Sequence, residues 1–182
     1  MTKSKPTHVL TVEDYLEGEQ HSDVRHEYID GEVYAMVGAT RIHNIISGAV
    51  FRKIGNHLEG KLCQPLMSDM KTKVDNNFFY PDVMVDCSDD ADGKSSFTEK
   101  PILIIEVLSP STMTTDRTIK FSAYIKIPSL QEYVLIEKDS MNVIIFRRSD
   151  NWHGQVYLKS KEVHFESIDL TLPIEEIYTG VD

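Results

Sequence analysis

The sequence predicts an α+β domain with an α/β-like core, in which helices flank a mixed central β-sheet. Residues 102–108 are apolar on both faces apart from Glu106, which is typical of a buried central strand. Residues 40–58 carry apolar side chains at helical spacing. Alternating segments that resemble hairpins stand on both sides of these two elements. With no repeat or long linker, the chain of 182 residues is expected to be a single domain, 1–182.

The first elements are a short helix and a hairpin. Thr11 precedes two acidic residues, a pattern that favours a helix start, and an amphipathic helix is expected over residues 11–19. Residues 25–29 and 32–37 alternate on either side of Asp30-Gly31, which favours a hairpin with a two-residue turn. The long helix over residues 40–58 should end before Gly60.

The middle of the chain predicts strands that lead to the central one. Three strands are expected before a polar loop at residues 88–100, and Asn76-Asn77 is expected to form the turn before the third. These strands span residues 62–67, 70–74 and 79–86. After the central strand, Ser109-Pro110-Ser111-Thr112 favours a break, and a helix is expected over residues 115–126, before Pro128.

The last third predicts mainly β-structure. A second hairpin is expected around Asp139-Ser140, followed by two short strands and a terminal helical turn. The predicted spans are 132–137, 142–148, 155–158, 163–165 and 173–178.

The composition is that of a globular protein, with 41% hydrophobic and 26% charged residues. The sequence contains no run of 18 apolar residues, so no membrane span is predicted. The first residues lack the apolar core of a signal peptide. Cys63 and Cys87 have neither a CxxC spacing nor a matching histidine pair, so reduced thiols and a cytoplasmic location are expected. A net charge of -10 argues against broad, non-specific nucleic-acid binding but does not exclude a nuclease, because a bound divalent cation cancels part of the local charge.

Two acidic residues predict the functional site. Glu106 lies in an apolar strand, where a carboxylate is unfavourable unless a cation or hydrogen-bond donors compensate it. Asp82 follows Pro81 at the start of another strand-like run. If the two carboxylates meet across a sheet, they form a site for Mg²⁺, or Mn²⁺, with the backbone carbonyl of Val107 and several waters as further ligands.

Lys120 is predicted to complete this site. Glu106 lies about two residues before the end of its strand, hence roughly 7 Å from the sheet edge. The next helix is expected to run back along the sheet. Lys120 lies about five residues into this helix, so its Cα should lie roughly 7.5 Å back from the same sheet edge. The ammonium should therefore reach the Glu106 carboxylate, where it would orient an attacking water or stabilise negative charge on phosphorus.

Pro81-Asp82 followed by Glu106-Val107-Leu108 resembles the PD-(D/E)xK signature of restriction-endonuclease-like nucleases. The string from Glu106 to Val134 is similar to that of the Uma-two family of this superfamily, and the resemblance extends back to Glu27 and His43-Asn44. It implies a restriction-endonuclease-like fold and a metal-dependent nuclease acting on DNA. The superfamily's lysine falls at Leu108, which cannot replace it, so the resemblance implies that Lys120 has taken this role. Glu27 resembles an acidic position that completes such sites.

Several alternatives remain open at this point. Glu27 is equally consistent with a surface charge on the first hairpin, and His43 with either a half-buried structural residue or a phosphate or hydrogen-bonding ligand near the site. The domain as a whole is also consistent with a catalytically weak or inactive nuclease-fold module that binds a partner or nucleic acid. A glycosidase is a weaker third reading. A homodimer is expected, because small nucleases of this architecture often cut duplexes as two-fold dimers. The exposed surfaces of the two hairpins are candidate contacts.

Overall fold

The computed structural model describes residues 10–36, 38–89, 93–110 and 112–181. The N-terminal segment examined for a signal peptide and Val37, the predicted end of the second strand, lie outside the described residues. Among these described residues, the regular α-helices are α1 (Val12–His21), α2 (Arg41–Leu58) and α4 (Ile174–Ile177). Helix α3 comprises residues 113–124 in three successive segments, Met113–Thr115, Asp116–Lys120 and Phe121–Tyr124. In the same ranges, two short 3₁₀ helices lie at Arg148–Asp150 and Glu166–Ile168.

Most of the predicted strands are present among the described residues, and two further strands lie at residues 97–98 and 170–173, where none was expected. In the first half they are β1 (His26–Ile29), β2 (Glu32–Ala35), β3 (Gln64–Met67), β4 (Lys71–Val74), β5 (Asn77–Phe79), β6 (Val83–Asp86) and β7 (Phe97–Thr98). In the second half they are β8 (Pro101–Leu108), β9 (Glu132–Glu137), β10 (Asn142–Arg147), β11 (Gly154–Leu158), β12 (Glu162–Phe165) and β13 (Leu170–Pro173).

The central sheet has six strands in the order β11-β10-β9-β8-β6-β3. Strand β8 lies inside it, parallel to β9 and antiparallel to β6, so the sheet is mixed as predicted. One face of β8, including Ile105, packs with Ile46 and Val50 of α2. The other face, including Ile104, packs with Tyr124 of α3. Both faces are therefore covered by helices, and the predicted α+β class is confirmed.

The predicted strand over residues 79–86 is wrong, because the chain breaks there into β5 and β6. Strand β5 belongs to a second sheet of order β2-β1-β5-β4-β7, whereas β6 belongs to the central sheet. Pro81 has no N–H to donate to a β-ladder, which favours a crossing at this point. Val83 is paired with Ile105 of β8, so the break places Asp82 beside the central strand.

Two boundaries also differ from the prediction. The turn between β4 and β5 falls at Asp75-Asn76 instead of Asn76-Asn77, and Asp75 adopts the left-handed conformation with φ of 55°. Helix α3 starts two residues earlier than predicted and contains a π-helical turn over Asp116–Lys120. Such turns are frequent at functional sites, and here both end residues are buried.

The prediction that Cys63 and Cys87 are reduced thiols is also wrong, because the two residues form a disulfide. The antiparallel register of β3 and β6 pairs Gln64 with Asp86. Cys63 precedes Gln64 and Cys87 follows Asp86, so this register places the two cysteines opposite each other. The argument for a cytoplasmic location from reduced thiols is thereby lost. Within the ranges the structure describes, no helix is both long and apolar enough to cross a membrane.

Candidate active site

The buried ammonium of Lys120 is the centre of the candidate site. Its Nζ lies 2.9 Å from Oε1 of Glu27, 3.1 Å from Oε1 of Glu106 and 3.3 Å from Oδ1 of Asp116. We call these four residues the Lys120 cluster. They come from β1, β8 and α3, and each is at most 9% exposed. Three distant segments of the chain therefore meet at one cation.

Glu106 reaches this point because of the alternation along β8. Its side chain shares the α3 face of the strand with Ile104 and Leu108. The contact with Lys120 is the one expected from the heights of the strand and the helix. The hydroxyl of Tyr124, one helical turn beyond Lys120, also donates a hydrogen bond to Oε1 of Glu106, at 3.1 Å. A carboxyl group that would be unfavourable in an apolar strand thus has two polar partners.

Glu27 enters the cluster from the second sheet. Its Oε1 accepts a hydrogen bond from the backbone N–H of Tyr80 at 3.2 Å, in addition to contacting Lys120. The Tyr80 N–H belongs to the break between β5 and β6, so the same feature positions both Glu27 and Asp82. The alternative of a surface charge on the first hairpin is wrong, because Glu27 is buried.

Asp82 lies at the edge of the site and is held by two donors. Its Oδ2 accepts a hydrogen bond from the backbone N–H of Val107 at 2.7 Å and lies 3.1 Å from Nε2 of His43. Val107 follows Glu106 directly, so the Asp82 carboxylate is adjacent to the strand segment that carries the second acid. The predicted metal ligands Asp82, Glu106 and Val107 are therefore neighbours in the fold.

The protonation equilibria of the Lys120 cluster reflect its burial and its excess of acids. Burial raises the pKa of Glu106 above its ordinary value; Lys120 opposes this effect, whereas the carboxylates of Asp116, Asp82 and Glu27 add to it. Burial likewise raises the pKa of Asp116 against the effect of Lys120. Burial alone would lower the pKa of Lys120, but Glu106, Glu27 and Asp116 together raise it. The cluster therefore favours the charged form of Lys120, and burial works against the charged forms of Glu106 and Asp116.

Two contacting residues were not among the site residues predicted from the sequence. Asp116 is the more buried one; it lies four positions before Lys120 on the same helix face, and that spacing is the signal that would have found it. His43 was weighed as a possible ligand, and the structure places it against Asp82. Burial lowers the pKa of His43, but the hydrogen bond and charge of Asp82, together with Val107 and Asp116, raise it above its ordinary value.

The residues present fit a hard divalent cation by the chemistry of their donors. Carboxylate and backbone carbonyl oxygens are the ligands that Mg²⁺ takes in proteins. Oδ1 of Asp116 is buried without a hydrogen-bond partner, because its contact with Lys120 is ionic and lacks hydrogen-bond geometry. The acids at the site outnumber its cations, which favours uptake of further positive charge. Among the described residues, however, no three acidic, histidine or cysteine side chains already form a preassembled metal cage.

The fold is that of a restriction-endonuclease-like protein. The chain superposes on the crystal structure of "a putative nuclease belonging to DUF820" from Anabaena variabilis with a TM-score of 0.79, covering 93% of this chain and 97% of that one. At 19% sequence identity, this likeness concerns the fold. It confirms the predicted restriction-endonuclease-like arrangement of a mixed sheet between helices.

The chain belongs to the Uma2 family, whose model, described as "Putative restriction endonuclease", matches residues 12–176. It is 38% identical to the uncharacterized protein slr1290 of Synechocystis sp. over 98% of this chain and 96% of that protein. It is also 34% identical to the uncharacterized protein sll1609 of the same organism, over 72% of this chain and 77% of that protein. The family resemblance in the sequence is thereby confirmed.

Proposed function

We propose that the protein is a Mg²⁺-dependent endonuclease that hydrolyses phosphodiester bonds of DNA. One observation carries the proposal: the ammonium of Lys120 is buried among the carboxylates of Glu27, Glu106 and Asp116, next to Asp82. An excess of buried carboxylates around one lysine suits metal-assisted attack on a phosphate. Membership of the Uma2 family, whose model is described as "Putative restriction endonuclease", supports the same reading. The cytoplasmic location expected from the sequence stays a prediction, since the Cys63–Cys87 disulfide removes the argument from reduced thiols.

The proposal gives a role to each residue. Asp82, Glu106 and the carbonyl of Val107 would hold Mg²⁺ or Mn²⁺, which when bound supplies positive charge at the phosphate and makes a coordinated water more acidic. Lys120 orients the attacking water or stabilises negative charge developing on phosphorus. Glu27 holds the ammonium in place from the second sheet. His43 and the Val107 N–H fix the orientation of the Asp82 carboxylate.

Metal binding is expected to depend on Asp82. Asp82→Asn retains an oxygen that accepts from the Val107 N–H but removes the negative charge, so Mn²⁺ affinity should fall by about tenfold or more. Isothermal titration calorimetry with Mn²⁺ measures this effect. Asp75→Asn is a suitable control, because Asp75 is an exposed acid whose partner is the exposed Lys126. Undiminished Mn²⁺ binding by Asp82→Asn would contradict the proposed ligand set.

A second candidate is the catalytically inactive module on the same scaffold. It is favoured by the absence, within the described ranges, of a ready-made group of three metal-binding side chains, and by Leu108 at the superfamily's lysine position. If the module is inert, neither Mg²⁺ nor Mn²⁺ binds in the calorimetric experiment. Phe78 and Phe79 give the glycosidase alternative no support, because both are fully buried.

The homodimer belongs to the proposal as well, and β11 is its best-supported contact. This strand is an outer edge of the central sheet, and it exposes 60% of Val156 and 54% of Leu158 without a charge or proline in its five residues. Such an edge favours strand pairing between molecules.

The dimer prediction is tested by sedimentation velocity. The wild-type protein should sediment as a dimer, and Val156→Lys should sediment as a monomer, because a charge at the centre of the shared edge opposes pairing. Val33→Lys, on an exposed strand of the other sheet, should leave the dimer intact. A wild-type monomer at all accessible concentrations would refute the contact.

A further inference from the structure

A cavity of about 260 Å³ opens directly above the Lys120 cluster. Its floor is formed by Glu27, Asp116 and Lys120. Its walls come from β2 and from α3, and they are mainly apolar, with Tyr34 on one side and Ile119 on the other. The cavity thus combines a charged floor with an apolar entrance, a combination that suits a ligand with one anionic end and one flat apolar part.

Tyr34 is the aromatic residue of this entrance. The β1–β2 register pairs it with Glu27, so both side chains stand on the same face of the hairpin. The ring is 49% exposed, and its hydroxyl donates a hydrogen bond to Oε2 of Glu32 at 2.8 Å. The hydrogen bond limits movement of the ring, while the exposed fraction leaves surface available for stacking. Tyr34 therefore has the properties of a platform for a flat ligand.

The depth of the acids restricts what can reach them. Asp116 and Lys120 line the cavity and are 1% and 5% exposed, so a phosphate that contacts them has to enter it. In an intact duplex the phosphates are fixed on the outside of a stiff, stacked helix. A nucleotide that has left the stack can carry its phosphate inward, as in enzymes that act on extruded or single-stranded nucleotides. The net charge of -10 further disfavours broad attraction of a duplex surface.

We propose that this cavity receives an unpaired nucleobase, stacked on Tyr34, whose phosphate points to the Lys120 cluster. The substrate is accordingly single-stranded DNA, or a locally unpaired segment, rather than an uninterrupted duplex. Stacking of a base on an aromatic side chain is tolerant of sequence, because every base has a π-face. The cleavage part of this inference rests on the proposed nuclease function, but the binding part does not.

Binding is measured by fluorescence anisotropy with a labelled single-stranded oligonucleotide and with the same strand in a blunt duplex, in EDTA and in Ca²⁺. The wild-type protein should bind the single strand more tightly in at least one of these conditions. Tyr34→Ala should weaken that binding by about tenfold, whereas Tyr34→Phe should retain it. Val33→Ala is the matched control, since Val33 is adjacent on the same strand and 47% exposed but points to the other face.

The outcomes separate this inference from the nuclease proposal. Equal affinity for the duplex, undetectable binding of the single strand, or no effect of Tyr34→Ala overturns the inference. Metal-dependent cleavage of intact duplex that is unaffected by Tyr34→Ala also overturns it and leaves the nuclease standing. Tyr34-dependent binding of the single strand without metal-dependent cleavage supports the inference and counts against the nuclease. Circular dichroism of Tyr34→Ala checks the fold, which should be retained because the side chain is half-exposed.

Discussion

Replacing Glu106 with glutamine is expected to reduce metal-dependent DNA cleavage by about 10³-fold. Glutamine has nearly the same shape as glutamate, so the substitution removes the negative charge without opening a cavity. In the proposed mechanism this charge is one of two carboxylates that hold the metal ion next to the phosphate. Loss of the charge therefore removes metal affinity and the stabilisation of the transition state together.

The same substitution should leave the folded state intact. The amide oxygen of glutamine accepts the hydrogen bond from Tyr124, and Lys120 retains its contacts with Glu27 and Asp116. Burial already raises the pKa of Glu106, so its ionised form contributes little favourable energy. We expect the free energy of unfolding in EDTA to change by no more than about 1 kcal/mol.

Cleavage is followed with labelled single-stranded and duplex DNA in Mg²⁺ or Mn²⁺, and stability by urea unfolding in EDTA. Glu99→Gln is the control, because Glu99 is an exposed acid paired with Lys73. It should cleave like the wild-type protein. If Glu106→Gln also cleaves DNA at the wild-type rate, cleavage does not take place at the Lys120 cluster. The assignment of this cluster as an active site then fails.

The parts of the fold that sequence could predict are those set by local chemistry. Thr40 was expected to begin the long helix, and its hydroxyl does accept from the N–H of His43. Asp30-Gly31 was expected to form a tight turn, and both residues have positive φ there. The meeting of Lys120 and Glu106 was predicted from the rise per residue of a strand and a helix, because a short connection between the two elements leaves little freedom.

The parts that sequence could not predict depend on partners distant in the chain. Pro81 breaks a strand-like run, but only the pairing of β5 and β6 with different sheets shows that the two halves separate. The disulfide depends on the register between β3 and β6, which no cysteine spacing reveals. Asp116 lay on the face of Lys120 in the predicted helix, but its burial follows from packing of the π-helical turn against the central sheet. Tertiary contacts therefore decided what local patterns left open.

Replacing Lys120 with methionine should have the second large effect, on both activity and stability. Methionine fills a similar apolar volume but removes the ammonium that contacts three carboxylates. Removing one partner from a buried ionic group leaves the others uncompensated, at a cost of about 3–5 kcal/mol. Cleavage should fall by about 10²–10³-fold, since no group replaces the ammonium near the phosphate.

The loss of stability in Lys120→Met should increase with pH. Glu106 and Asp116 have folded-state pKa values above the ordinary 4.5 and 3.8, so the folded protein binds protons that the unfolded chain has released. Their contribution to stability is complete below the ordinary pKa values and is lost as pH rises through the raised ones. Lys120 lowers both pKa values. Removal of the Lys120 ammonium therefore raises the pKa values of Glu106 and Asp116 further. The free energy of unfolding of the variant then continues to fall with pH above the range in which that of the wild-type protein becomes constant.

Urea unfolding in EDTA at about pH 5 and about pH 8 measures this difference. The gap between the wild-type protein and Lys120→Met should be smaller at the lower pH, which is nearer the ordinary pKa values of Glu106 and Asp116, and larger at the higher pH. Lys126→Met is the matched control, because Lys126 follows the same helix but pairs with Asp75 on the surface, and its loss should change stability by less than about 1 kcal/mol. A gap independent of pH would mean that Lys120 acts through packing alone, and the carboxylates would then not form the electrostatic unit on which metal uptake depends.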